Sequence, residues 1–468
     1  MSGFANLSRF LMMPTMFKRV MLLVLGLLVS LASIISWAED AKFFPYPYSV
    51  DRLPNQLQVV TVPLENQKLV ALYIVVRTGS RNEVEAGKSG FAHFFEHMMF
   101  RGSENFTPEQ RDFIMKRAGA EGNAYTSDDR TVYHQLFAKE DLDPIMKLEA
   151  DRFQRLKYAV PVYKTETLAV LGEYNKNSAN PVSKLNELTR ATAFSRHTYK
   201  HTTMGFVEDI QGMPNEYDYS LQFYQRYYRP ENCTILLVGA IDQPRALELT
   251  RKYFGDWKAG NHHPEIPTEP VPTGPKRAHL DWPSPTLPYL LVAFRGPAYS
   301  DTQKDKAALD FLAPIAFGED SELHQKLVLK EQKVDMLAVD FEDHMDPELF
   351  SIYVRVKNPV DLPYVEEQIA GTIKKFSSEL IPIQKLNDTR SRMRYGTALG
   401  LDSSNAIGGF LAPYIALAGT PDTVNKVFEV YRGITPEDIR SMTLKYLNAQ
   451  GKVVVTLTTK IVVTKETK

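Results

Sequence analysis

The pentapeptide His93-Phe94-Phe95-Glu96-His97 narrows this chain more than any other stretch. Positions four apart share one face of a helix, so a helix here lets both imidazoles meet a single metal ion. Glu96, one residue before the second histidine, can reach a water on the same ion. Phe91, Phe94, Phe95, Met98 and Met99 flank this polar face. Side chains of that kind would restrict solvent and hold the helix fixed, as a catalytic metal requires. A helix so apolar must lie inside a sizeable core, and 468 residues suffice for two domains of roughly 200 residues each.

Two histidines leave a hydrolytic zinc one protein ligand short, because such sites usually offer three plus water. Cys233 is the single cysteine, so an intramolecular disulfide is excluded and the ligands must come mainly from nitrogen and oxygen. Its position before the apolar Ile235 to Val238 run reads as a buried structural thiol. Glu166 and Glu173 lie seven apart in a helical pattern, hence on one face two turns apart. One of them can ligate while the other hydrogen-bonds a ligating histidine or positions the water. His197 and His201 are also four apart but lack an accompanying glutamate motif, and His262 and His263 stand in a proline-rich stretch where solvated side chains are expected. A formal charge of -1 supplies no bulk basicity for nucleic acid and no acidic tail for a cationic partner.

Around the motif the periodicity alternates between strands and helices. Tyr48 to Val62 and Leu69 to Arg77 read as strands, the run Val70 to Val76 as one buried on both faces. Helical spacing follows at 90–100, 108–118, 142–156 and 163–177, and 124–138 reads as a hairpin turning at Ser127 to Arg130. The second half repeats this outline: strands at 289–294, 350–356 and 452–457, helices at 304–317, 364–379 and 383–399. The expected fold is α+β, with two homologous-looking α/β-sandwich domains, each a mostly antiparallel sheet packed with helices. The expected boundaries are a leader over 1–38, a metal-binding domain over 39–259, a linker over 260–276 and a second domain over 277–468. In the leader, Lys18 and Arg19 precede an apolar stretch from Val20 to Ala38, and Ser36-Trp37-Ala38 offers small residues where a signal peptidase cuts. Export into a bacterial periplasm is the expectation, with an uncleaved membrane anchor as the alternative. No lipobox cysteine is present.

The H-x-x-E-H helix resembles that of the pitrilysin/insulinase family of inverted-zincin metallopeptidases, which includes the mitochondrial processing peptidases. In that family the third ligand stands far downstream of the second histidine, with another glutamate seven residues earlier. Glu173, 76 positions after His97, and Glu166 occupy those places. Gly122 to Ser127, Tyr133 and Tyr228 to Asn232 resemble further family segments, and 318–327 is similar to its second domain. The resemblance spans roughly Tyr46 to Leu457. It implies one zinc ion held by His93, His97 and Glu173, Glu96 as general base and Glu166 as support. It also implies that Asn123, Ala124 and Tyr125 form a strand edge to which an extended peptide adds.

The implied function is a zinc metalloendopeptidase acting on peptides or unfolded polypeptides. Mn or Co can occupy similar ligands. The family's oxyanion donors, an Arg and a Tyr seven apart in the opposing half or partner subunit, are missing around Val328 to Asp335. That departure implies a homo- or heterodimer in which a related subunit supplies them. The competing readings are a non-catalytic peptide-binding or assembly subunit, and a structural zinc protein. The second is disfavoured because structural sites are commonly closed by four protein ligands.

Overall fold

Val70 to Val76 is apolar at every position because both faces of its strand are covered in the structure, a computed structural model that describes residues 42–460. Six strands build the first sheet: β1 (Ser49–Arg52), β2 (Gln58–Pro63), β3 (Leu69–Val76), β4 (Glu121–Thr126), β5 (Thr131–Ala138) and β6 (Cys233–Gly239). They are ordered β1-β2-β6-β3-β5-β4, antiparallel throughout except for the parallel pair β2 and β6. Eight helices accompany them: α1 (Phe91–Met98), α2 (Pro108–Arg117), α3 (Leu142–Gln154), α4 (Val160–Ser178), α5 (Pro181–Ala193), α6 (Val207–Gly212), α7 (Tyr217–Tyr227) and α8 (Gln243–Phe254).

The second half holds β7 (Lys276–Trp282), β8 (Tyr289–Arg295), β9 (Val334–Asp340), β10 (Leu349–Val356) and β11 (Lys452–Thr459), in the order β7-β11-β8-β10-β9. Here too the first pair, β7 and β11, is parallel and the rest antiparallel. This is the order β2-β6-β3-β5-β4 over again. Its helices are α9 (Lys304–Phe317), α10 (Leu362–Ser378), α11 (Ile383–Leu399), α12 (Ser404–Ala418), α13 (Asp422–Arg432) and α14 (Pro436–Tyr446).

Alternation along the central strands shows how the halves are joined. Val70, Leu72, Ile74 and Val76 face the core of the first half's own helices. Tyr73, between them, meets α12 from the second half: its hydroxyl donates to the Asn405 main-chain oxygen at 2.9 Å. The reverse holds in the other sheet. Leu290, Val292 and Phe294 of β8 face the second half's helices. Tyr289, Leu291 and Ala293 pack in one cluster with Leu185 and Ala193 of α5, from the first half. Each half thus lends a helix to the sheet of the other, and the chain from Tyr46 onward forms one compact unit. Polar contacts close the seam. Asp128 binds Arg190 at 2.7 Å and His344 at 3.1 Å, and Arg81 pairs with Asp346 at 2.5 Å.

Two local departures from the sequence pattern have physical causes. Tyr48 to Val62 is two strands, since Leu53-Pro54-Asn55-Gln56 turns, with the Gln56 amide on the Leu53 carbonyl at 2.8 Å and Gln56 at φ 73°. The proline-rich stretch carries no helix or strand through Pro275, but Lys276 already begins β7, an edge strand whose exposed residues conceal the strand pattern. A short helical turn, Glu322–His324, runs into a π-helical turn at Gln325–Lys330. The proposed leader lies outside the described residues. Among the described residues, no helix is long and apolar enough to cross a membrane.

Candidate metal centre

α1 is an eight-residue helix walled in by aromatic packing. Phe91 meets Tyr219 edge-on with centroids 4.7 Å apart, Phe94 meets Tyr163 at 5.1 Å, and Phe95 stacks on Phe223 at 5.1 Å. Met98 and Met99 are equally buried. These contacts fix the rotation of the helix, so that His93 and His97 meet the carboxylates of α4 while Glu96 meets Thr126 of β4. The carboxylates that α4 brings alongside are Glu166 and Glu173.

The Nε2 atoms of His93 and His97 lie 3.6 and 3.4 Å from Oε2 of Glu173. One ligand atom from each of the three falls within 4.8 Å of the other two, the one such group found among the described residues. Two ligands each about 2.1 Å from a tetrahedral zinc are about 3.4 Å apart, so the spacing fits an ion rather than direct hydrogen bonds. Burial drives His93 well below the ordinary imidazole range, the charge of His97 adding to this, which favours the neutral ring a metal needs. The other nitrogen of His97, Nδ1, is 3.0 Å from Glu166 Oε1, and this contact raises the His97 pKa. Such a carboxylate fixes the ring so that Nε2 faces Glu173.

Two residues join this constellation that the sequence reading gave no role. Arg101 grips Glu166 from the far side, Nε to Oε2 at 2.5 Å and Nη2 to Oε1 at 3.2 Å. Burial works to raise the Glu166 carboxyl, but its bonds to His97 and Arg101 outweigh burial and hold it low. Thr126, the last residue of β4, donates its hydroxyl to Glu96 Oε2 at 2.7 Å. Burial raises the Glu96 pKa against that bond. Arg101 follows His97 by four positions, a spacing that was readable. The Thr126 bond depends on a sheet edge meeting a helix and left no sequence signal.

β4 is the edge of its sheet and pairs with β5 through Asn123 opposite His134, Ala124 opposite Tyr133 and Tyr125 opposite Val132. Glu121, Gly122 and Asn123 are exposed, whereas Ala124 is buried against the core. His197 and His201 lie elsewhere and are buried. His197 Nδ1 accepts from the Tyr199 amide and its Nε2 meets Asp346 at 3.0 Å, while His201 Nδ1 meets the Thr202 carbonyl. His262 and His263 are exposed, and the Cys233 thiol is buried.

Comparison with known proteins shows the family and the fold. Residues 58–206 match the family model described as insulinase (peptidase family M16), and residues 216–393 match the one described as the peptidase M16 inactive domain. The chain is 30% identical over 406 residues to zinc protease PqqE of Helicobacter pylori, covering 85% of this chain and 89% of that protein. It belongs to the insulinase family. Within this family it is also similar to the mitochondrial-processing peptidase subunit beta of Saccharomyces cerevisiae, 23% identical over 420 residues, 83% of this chain and 86% of that one. The crystal structure of a protease from Helicobacter pylori superposes with a TM-score of 0.82 at 26% identity, over 88% of this chain and 99% of that chain. The insulinase model falls on the half that carries His93, Glu96, His97 and Glu173.

Proposed function

We propose that this insulinase-family chain is a zinc-dependent endopeptidase subunit, and the observation that carries the reading is the convergence of His93, His97 and Glu173 beside Glu96. Those three side chains would hold a zinc ion, which would supply Lewis acidity to the scissile carbonyl and to a water molecule. Glu96 takes a proton from that water as the water oxygen attacks the carbonyl carbon, then delivers it to the leaving amine as the C–N bond breaks. Burial, by raising its pKa, suits Glu96 to both steps. Thr126 holds the carboxylate in place from one side. Glu166, clamped by Arg101, keeps His97 in the ligating orientation.

The substrate lies as an added strand along β4, held by main-chain hydrogen bonds at Asn123, Ala124 and Tyr125. This edge ends at Thr126, the residue that touches the general base, so a peptide paired with β4 runs toward Glu96. Main-chain pairing asks little of side chains and suits extended or unfolded polypeptides.

The stretch Val328 to Asp335 contains neither Arg nor Tyr, so the reading includes a related partner subunit that donates to the oxyanion. The relative from yeast is itself described as a subunit. The apolar stretch from Val20 to Ala38 supports export of the pair to a periplasm. The test is zinc content and cleavage of a quenched peptide library by the purified chain, alone and with its partner. Activity that requires both zinc and partner supports the reading. Zinc without activity in either preparation favours a peptide-binding subunit instead.

A further inference from the structure

The first N–H groups of a helix have no acceptor within it. α1 is preceded at its cap by Gly90, which has no side chain to supply one and sits at φ 90°. The acceptor comes instead from seven residues upstream. Glu83 Oε2 accepts from the Gly90 amide at 2.8 Å, and Oε1 accepts from the Ala92 amide at 2.7 Å. Ala92 immediately precedes His93. The Glu83 side chain is fully buried, and His201 Nδ1 lies 3.8 Å from it. Burial pushes its carboxyl up to about 8, opposed by the two amides and reinforced by the charges of Asp128 and Asp209. Both oxygens accept, and the N-terminal dipole of α1 favours the carboxylate.

The surroundings leave the cap little freedom. A Cβ on Gly205 would stand 2.7 Å from the Gly90 nitrogen, and one on Gly90 would stand 2.6 Å from the Met204 carbonyl oxygen, so two stretches of backbone touch at the helix start. Glu83 itself follows the turn Ser80–Asn82, in which Arg81 is paired with Asp346 of the second half and Ser80 donates to Asp128 at 2.7 Å. The Tyr227 hydroxyl donates to the Asn82 carbonyl at 2.8 Å. Glu83 therefore joins a turn anchored on three sides to the first residues of the metal helix.

We propose that Glu83 is the positioning residue of this helix: its buried carboxyl group caps α1 from outside and holds His93 and His97 in register with Glu173. The proposal rests on the reading of those three residues as metal ligands. It is tested on the full chain by chelator competition for zinc, the absorption spectrum of the cobalt-substituted protein, and amide exchange of residues 90–93. In the wild type, the Ala92 amide should exchange slowly despite lying in the first turn. Glu83→Gln, which presents an N–H to one backbone donor, should weaken zinc about 10- to 100-fold and alter the cobalt spectrum. Glu83→Asp, keeping the carboxyl group, should recover part of the affinity. Zinc affinity within about twofold of wild type in Glu83→Gln, or fast exchange at Ala92 in the wild type, would overturn the proposal. If Glu83→Gln does not fold, the wild-type exchange and Glu83→Asp decide. A wild-type chain that holds no zinc would instead defeat the metal reading, a result visible before any variant is made.

Discussion

Two helices follow the central strands of the two sheets, α1 after β3 and α9 after β8, and each carries polar residues four apart in an apolar setting. In α1 they are His93 and His97, whose Nε2 atoms both face Glu173 at more than hydrogen-bond length. In α9 they are Lys306 and Asp310, bonded to each other at 2.6 Å, with Asp343 at 3.0 Å from the lysine and the Tyr431 hydroxyl at 2.8 Å from Asp310. The same spacing yields an open ligand set in one half and a self-satisfied ion pair in the other. Repetition of a fold does not repeat its chemistry, because a metal site needs donors turned on a common point while stability needs them paired with one another.

The largest expected effect breaks the first member of this comparison. Glu96→Gln should lower peptidase activity about 10²- to 10⁴-fold while zinc stays bound, measured by turnover and metal analysis on one preparation. The second member breaks differently. Lys306→Met leaves Asp310 and the half-buried Asp343 without their cation, and should cost about 3–5 kcal/mol in a denaturant melt, with zinc content of the folded fraction unchanged. Loss of zinc in that variant would mean that the halves share one chemistry after all.

The exchanged helices sharpen the comparison further. Leu185 of α5 is fully buried in the cluster that covers the second sheet. Leu185→Ala should destabilise by about 2–5 kcal/mol, and that loss should appear in the second sheet, far along the chain from the mutation. Hydrogen exchange would show it: unchanged protection in β8 and β11 would deny that α5 belongs to that sheet.

The smallest effect concerns the seam. Burial opposes the charged form of His344, but its hydrogen bond to Asp128 and the charges of Glu348, Asp128 and Asp129 prevail and raise it to about 9. A folded pKa above the unfolded value of about 6.5 stabilises fully below that pH, and the contribution disappears as pH rises through 9. Asp128 is held low by Arg190 and His344 against its burial, so it stays charged across this window. The melting temperature should therefore fall by a few degrees between pH 6.5 and 9, and His344→Gln should flatten the slope.

Much of this was legible in the chain, for reasons that differ by residue. Lys304 to Phe317 and Ile383 to Leu399 were bounded as the structure has them because Gly318 and Gly400 mark their ends. Val70 to Val76 announced a strand buried twice, but not that its second cover is α12, more than 300 residues away. Exposed edge strands hide best: β7 begins with Lys276 and Arg277 and reads as the end of a linker, and β9 alternates too weakly to stand out. In the site, His93, Glu96 and His97 were found by spacing and Glu166 and Glu173 by the family resemblance, and the structure brings them together. The bonds from Thr126 to Glu96, Arg101 to Glu166 and Glu83 to the helix start are tertiary, and local pattern does not encode them.

Zinc content per chain, measured for the purified wild type and for Glu173→Gln, tests the central claim most directly. One zinc per wild-type chain, lost in Glu173→Gln, is the result the geometry predicts. A wild type without zinc, or equal zinc in both proteins, would contradict it.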